Sequence, residues 1–224
     1  MKQEATAKKH GVLVVDDHPL FRKGVVQLLS EEHDIEVRAQ AGSFNDALEA
    51  VRRCQLDLAV VDISLEGGAN GIELLKSIRA ERPRLPVLIL SMHDETLYAE
   101  RALRAGARGY VMKREALDEV VTAIRTVLAG EIFISPVMSN RLIYDHIHGD
   151  DHARSPVDRL SDRELEVLQL IGKGHDVRDI AKGLHLSAKT VEAHRAHIKE
   201  KLNLANAREV VRFATSWLML QQSA

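Results

Sequence analysis

Three aspartates, Asp16, Asp17 and Asp62, follow short apolar runs, Val12 to Val15 and Leu58 to Val61. Carboxylates brought to one place repel each other unless a cation lies among them, so a divalent metal is the natural resident. Few carboxylates, an open site and a need for water and phosphate oxygens suit Mg2+ better than a closed calcium cage. With charge screened in this way, Asp62 can act as a nucleophile toward a phosphoryl group. Lys113 supplies the opposing charge, and the Ser91 hydroxyl can donate to a phosphoryl oxygen, so the site works by positioning and neutralisation. A lone aspartate at a strand end is ordinarily a loop residue or a helix cap. The joint order of these residues makes the pattern specific.

Bringing them together requires a particular scaffold. From Gly11 to Gly130, strand-like runs (Val12 to Val15, Ile35 to Gln40, Leu58 to Val61, Val87 to Leu90, Gly109 to Met112) alternate with helical patterns. Most of the runs are continuously apolar, as in strands buried on both faces. Strand-helix alternation then predicts an α/β fold, a doubly wound five-stranded parallel sheet. Ligands of such sheets sit at the carboxyl ends of the strands, where Asp16, Asp17, Asp62, Ser91 and Lys113 fall.

The length of 224 residues accommodates two domains, and 45% hydrophobic with 29% charged residues is the balance of an ordinary soluble chain. No apolar run is long enough to span a bilayer, and Met1 to His10 lacks the apolar centre of a secretion signal. A cytoplasmic protein without a membrane partner is expected. The single cysteine, Cys54, lies in a helical pattern without ligand-type neighbours and reads as packing or surface. Residues 156–224 hold 11 Lys+Arg and 9 Asp+Glu, leaving 20 and 24 before them, so the first part is near −4 and the last near +2. That asymmetry permits nucleic-acid binding by the second part without requiring it.

Three segments follow: a first domain over 11–132, a linker over 133–157 and a second domain over 158–221. The linker contains the polar stretch Tyr144 to Ser155, whose His146, His148 and His152 lack the support a metal site needs.

Leu-Val-Val-Asp16-Asp17-His-Pro, Val-Val-Asp62, Leu-Ser91 and Gly-Tyr110-Val-Met-Lys113 resemble the receiver domain of response regulators. The resemblance implies that Asp62 accepts phosphate from a sensor histidine kinase. It implies that Asp16 and Asp17 bind Mg2+ with Asp62 and the backbone carbonyl of Ser64, that Lys113 contacts the phosphoryl group, and that Ser91 and Tyr110 are a switch pair. One departure is visible. The proline the family usually carries after this aspartate is missing from Ile-Ser-Leu-Glu66-Gly67-Gly68-Ala-Asn-Gly71, which loosens the loop and adds a negative charge. These glycines lack the Walker lysine and the dinucleotide spacing, so they read as a turn.

In the second domain, Ser161 with Glu164 forms a capping box, and Leu160 and Leu165 form a hydrophobic staple that opens a helix ending at Gly172-Lys-Gly174. A short helix over Val177 to Leu184, a tight turn and a Ser187-capped helix through Leu202 predict helix-turn-helix geometry within an all-α, four-helix domain. On the longer helix Val191, Ile198 and Leu202 face inward. Lys189, Thr190, Glu192, Ala193, Arg195, Ala196 and Lys199 are the candidates for meeting DNA: basic groups for phosphates, Arg195 for guanine, Glu192 for cytosine. Leu160-Ser-Asp-Arg-Glu164-Leu-Glu-Val-Leu, Asp179-Ile-Ala and Ser187 through Leu202 resemble the LuxR-type DNA-binding domain. With the first domain, the chain is identified as a member of the NarL/FixJ family, which implies a transcription regulator, not an enzyme, that binds double-stranded DNA as a homodimer. The helix near Ala207 to Leu218 reads equally as dimer interface or core. The rival readings are a phosphatase-like enzyme using Asp62, a phosphorelay or protein-interaction module whose second domain does not bind DNA, and a regulator that binds DNA without phosphorylation.

Overall fold

A computed structural model describes residues 9–65, 70–92, 95–114, 117–148 and 156–222, and the chain divides into two compact units, Met1–Ile143 and Tyr144–Ala224. In the first unit β1 (His10–Val15), β2 (Ile35–Ala41), β3 (Leu58–Asp62), β4 (Val87–Ser91) and β5 (Gly109–Met112) form one parallel sheet in the order β2-β1-β3-β4-β5. Between them run α1 (Pro19–Ser30), α2 (Phe44–Arg53), α3 (Gly71–Glu81) and α4 (Glu95–Ala105), and α5 (Leu117–Leu128) follows β5. The order reverses between β1 and β3, the switch point at which doubly wound sheets hold their ligands.

The continuous apolar runs arise because both faces of the sheet are covered. Val12, Val14, Leu58, Val60, Leu88, Leu90 and Val111 pack with Val25 and Leu29 of α1 and with Val120, Ile124 and Val127 of α5. The alternate residues, including Leu13, Val15, Val61 and Ile89, are equally buried on the opposite face, where α2, α3 and α4 lie. β2 is an edge strand and is only partly buried, which fits its mixed sequence Ile-Glu-Val-Arg-Ala-Gln-Ala. Cys54 caps the C-terminus of α2 as a partly buried free thiol.

Residues 133–148 are more structured than their composition suggests. Phe133 adds to the sheet: its N–H donates to the Arg108 carbonyl at 3.0 Å, and its carbonyl accepts from Tyr110 N–H at 2.9 Å. Ser135 then opens α6 (Pro136–His148), its hydroxyl accepting from Met138 N–H at 3.1 Å and donating to the buried Glu95 carboxylate at 2.7 Å. Met138 is the buried anchor of that helix, whereas Val137, Ile143, Tyr144 and Ile147 are exposed. Apolar residues scattered around the helix left no inward stripe for periodicity to find. His152 lies outside the described residues.

In the second unit a 3-10 turn (Pro156–Arg159) precedes α7 (Asp162–Gly172), α8 (Val177–Gly183), α9 (Ala188–Lys201) and α10 (Ala207–Gln222). The capping box is present: Ser161 accepts from Glu164 N–H while the Glu164 carboxylate accepts from Ser161 N–H at 2.7 Å. Leu160 and Leu165 are both buried, as a staple requires. Val191 and Ile198 turn inward from α9, Leu202 is half-buried, and Val210, Ala214 and Trp217 of α10 join the core.

The helices end alike. After α7, α8 and α9 the N–H of the second residue past the cap returns to a carbonyl five residues back: His175 to Leu170, Leu186 to Ala181, and Leu204 to Lys199. This is the Schellman closure, and it puts Gly174, His185 and Asn203 at positive φ, 86°, 52° and 52°. Glycine and asparagine tolerate that conformation, but histidine carries a Cβ penalty of roughly 1 kcal/mol. His185→Gly is therefore expected to stabilise the second unit by up to about 1 kcal/mol in denaturant unfolding. Unchanged or lower stability would count against a strained turn.

Candidate functional site

Parallel strands in register deliver the site. Asp62 ends β3 beside Leu90 of β4, and Ser91 ends β4 beside Met112 of β5, so Asp16, Asp62, Ser91 and Lys113 emerge at one sheet edge. Lys113 bridges two carboxylates, its Nζ lying 2.7 Å from Asp16 Oδ2 and 2.5 Å from Asp62 Oδ2, with all three side chains almost fully buried. The other oxygens are held by backbone: His18 N–H donates to Asp16 Oδ1 at 2.8 Å, and Ser64 N–H to Asp62 Oδ1 at 3.3 Å. Phe21 of α1 lies under the ammonium, 4.5 Å from ring centre to Nζ, a cation–π contact that helps hold it.

Asp17 completes the group. Ligand-type atoms of Asp16, Asp17, His18 and Asp62 lie within 4.8 Å of one another. Asp17 Oδ1 is buried and accepts no hydrogen bond, while His18 Nδ1 stands 2.7 Å away, an ion pair only when the imidazole is protonated. Three carboxylates facing one ammonium leave negative charge in excess, and an orphaned buried oxygen points the same way: the residues present fit a divalent cation. Burial pushes the Asp62 carboxyl up to about 7 from 3.8; Lys113 opposes this and Asp16 adds to it. Ser91 is fully buried, and Tyr110 is buried too.

Sequence reasoning missed the clamp behind Asp62. Asn70 is fully buried and caps α3 by accepting from Ile72 N–H at 2.8 Å, and it forms a bridge with Ser64. Gly71 N–H donates to the Ile63 carbonyl at 2.7 Å, and a Cβ there would lie 2.0 Å from the Asp62 carbonyl oxygen. Only glycine permits this approach, and a lone Asn-Gly pair gave no sign of it beyond a turn. Arg22 of α1 was also missed; it donates to the Asp16 carbonyl. Glu66, Gly67 and Gly68, where the family's proline is missing, lie outside the described residues.

In the second unit, Lys189, Glu192, Ala193, Ala196 and Lys199 are exposed on α9, while Thr190 and Arg195 are half-buried. Arg195 donates to Glu192 at 3.0 Å, and Thr190 shares a 2.8 Å hydroxyl contact with the cap Ser187. Glu164 of α7 anchors the same helix: its Oε2 accepts from Lys201 Nζ at 2.6 Å. Burial pushes the Glu164 carboxyl up, but hydrogen bonds from Lys201 and Ser161 outweigh it and hold the group below the usual range.

The comparisons agree with this architecture in both units. Residues 12–125 match the response regulator receiver domain, and residues 158–214 match the luxR family of bacterial regulatory proteins. The oxygen regulatory protein NreC of Staphylococcus haemolyticus is 36% identical over 207 residues, covering 91% of this chain and 95% of that one. NreC of Staphylococcus aureus is 34% identical over 214 residues, covering 94% and 99%. Among solved structures, the RcsB response regulator of Salmonella typhimurium aligns over 93% of this chain and 99% of its own at 26% identity, TM-score 0.56. RcsB of Salmonella enterica serovar Typhimurium, bound to a promoter in the presence of phosphomimetic BeF3-, aligns over the same shares at 25% identity, TM-score 0.57.

A five-stranded parallel sheet with carboxylates and a lysine at its carboxyl edge, joined to a capped helix-turn-helix unit, defines a receiver coupled to a DNA-binding domain. The chain belongs to the NarL/FixJ family of two-component response regulators. It is a LuxR-type regulator that binds DNA to control transcription.

Proposed function

We propose that Asp62 is the phosphoacceptor, that a sensor histidine kinase is the donor, and that phosphorylation governs homodimer formation and sequence-specific DNA binding. The observation that carries this reading is the pair of buried carboxylates, Asp16 and Asp62, bridged by Lys113 at the sheet's switch point. An Asp62 oxygen attacks phosphorus, the P–N bond to the kinase histidine breaks, and its electron pair stays on the imidazole. Lys113 neutralises the incoming phosphoryl charge, and the Ser91 hydroxyl donates to one of its oxygens. Asp16, Asp17, Asp62 and the Ser64 carbonyl are the residues that would hold Mg2+, which screens the phosphoryl group from the carboxylates when bound. Tyr110, buried beside β4, is the aromatic partner of Ser91 in the switch. The chain acts as a regulator in the cytoplasm, not as an enzyme. No helix among the described residues is long and apolar enough to cross a membrane.

Two measurements test separate parts of this reading. Mg2+ is expected to raise the melting temperature of the protein by mass action, and Asp17→Asn to remove most of that increase. An equal increase in the variant would remove Asp17 from the metal site. For DNA, affinity is expected to fall steeply with salt, and Lys199→Ala to shallow the log–log slope by about 1 if that side chain holds a phosphate. A slope unchanged by the substitution would place Lys199 outside the interface.

A further inference from the structure

Two other groups of ligand-type side chains converge among the described residues. In one, Glu32, His33 and Asp34, both acids are already engaged by Arg125, which lies 2.5 Å from Glu32 and 2.7 Å from Asp34. The other joins two helices. Glu164 sits in the first turn of α7, and His194 and His197 lie one turn apart on α9, with ligand-type atoms of all three within 4.8 Å of one another.

We propose that Glu164, His194 and His197 form a binding site for one divalent transition-metal ion of the Zn2+ class, which clamps the DNA-reading helix α9 onto α7. Two imidazoles and a carboxylate, with a fourth position left to water, are a donor set that zinc accepts. Zinc holds such donors at about 2.0–2.2 Å, so only a small inward movement of the side chains is needed to close on an ion.

The carboxylate is prepared for this task. Its Oε2 accepts from Ser161 N–H at 2.7 Å and from Lys201 Nζ at 2.6 Å, which fixes the plane of the group. Its Oε1 is turned to His197, whose Nδ1 stands 3.5 Å away. Such supporting hydrogen bonds orient a metal-binding carboxylate and commonly change metal affinity by about 10–100-fold when removed. Glu164 is buried while His197 is mostly exposed, so an ion has both an anchored ligand and a path from solvent. The site is independent of Asp62 chemistry and stands or falls separately from the phosphorylation reading.

The test uses the full chain in saturating Mg2+, which occupies the receiver carboxylates. Zn2+ is titrated calorimetrically, and Co2+ serves as the spectroscopic probe, in wild type, His197→Gln and His194→Gln/His197→Gln. The wild type is expected to take up one more equivalent of Zn2+ than the double variant, and to show visible tetrahedral Co2+ bands that the double variant lacks. His197→Gln alone is expected to weaken binding at least about tenfold. Because His197 is exposed, that variant keeps its fold, which circular dichroism checks. The histidines of residues 144–155 are unchanged in every protein and cancel in the comparison. Equal stoichiometry and affinity in wild type and double variant, or Co2+ bands indifferent to both histidines, would overturn the proposal.

Discussion

Asp62→Asn is expected to reduce phosphate incorporation from a small phosphodonor to background, and at the same time to make the Mg2+-free protein more stable. Both effects follow from one buried carboxylate. Asparagine keeps the shape and the Ser64 N–H contact but cannot form the acyl phosphate. The stability effect comes from desolvation, which pushes the Asp62 carboxyl up to about 7 from 3.8. A carboxyl whose folded pKa is raised holds its proton in the native state after the unfolded chain has released it. The native state then binds more protons between about pH 4 and 7, so its stability falls as pH rises through that window. Asp62→Asn removes this pH-dependent cost of burying the carboxylate. Unfolding followed against pH in a chelator should show wild-type stability declining toward neutrality and a flatter curve for the variant. Labelling of Asp62→Asn at the wild-type level would move the acceptor elsewhere, and parallel pH curves would remove the burial argument.

Gly71→Ala is expected to be among the most damaging single-methyl additions in the first unit. The new Cβ would meet backbone, with the Asp62 carbonyl oxygen at 2.0 Å and the Ile63 Cα at 2.8 Å, and no flexible side chain is there to yield. Either the start of α3 lifts away or the end of β3 moves. The first breaks the 2.7 Å hydrogen bond from Gly71 N–H to the Ile63 carbonyl and disturbs the buried cap at Asn70. The second displaces Asp62 itself. A loss of about 3 kcal/mol is the expected scale for such overpacking, with phosphorylation rate falling at least about tenfold in whatever protein still folds. Wild-type denaturation midpoint and labelling rate in this variant would show that the loop has slack that the structure does not contain.

These two residues also mark how far the sequence could be read. Asp62 was legible because the strand before it is a continuous apolar run. Its partners stand after other such runs, so parallel topology alone brings Asp16, Ser91 and Lys113 to its side. The second unit was legible for a different reason: Ser161 and Ser187 are N-caps at fixed offsets from inward stripes, and local hydrogen bonding decides such ends. Gly71 was not legible, since nothing local distinguishes a glycine in a turn from one pressed against a distant carbonyl. Phe133 and Ser135 were hidden likewise. Their partners, Arg108, Tyr110 and Glu95, are far away in sequence, and α6 buries chiefly Met138. Lys113 was expected to face a phosphoryl group, but its bridge between two carboxylates and its seat over Phe21 depend on side-chain packing that spacing does not encode.

The most direct test of phosphorylation control is the affinity of the protein for its DNA, measured with and without phosphodonor on the same preparation in Mg2+, alongside its oligomeric state and with Asp62→Asn as control. Tighter binding and dimer formation are expected in the phosphorylated wild type and neither in the variant. A tenfold gain corresponds to about 1.4 kcal/mol of coupling between the two sites. Equal affinity and unchanged oligomeric state after stoichiometric phosphorylation would contradict it and identify a regulator whose DNA binding is independent of Asp62.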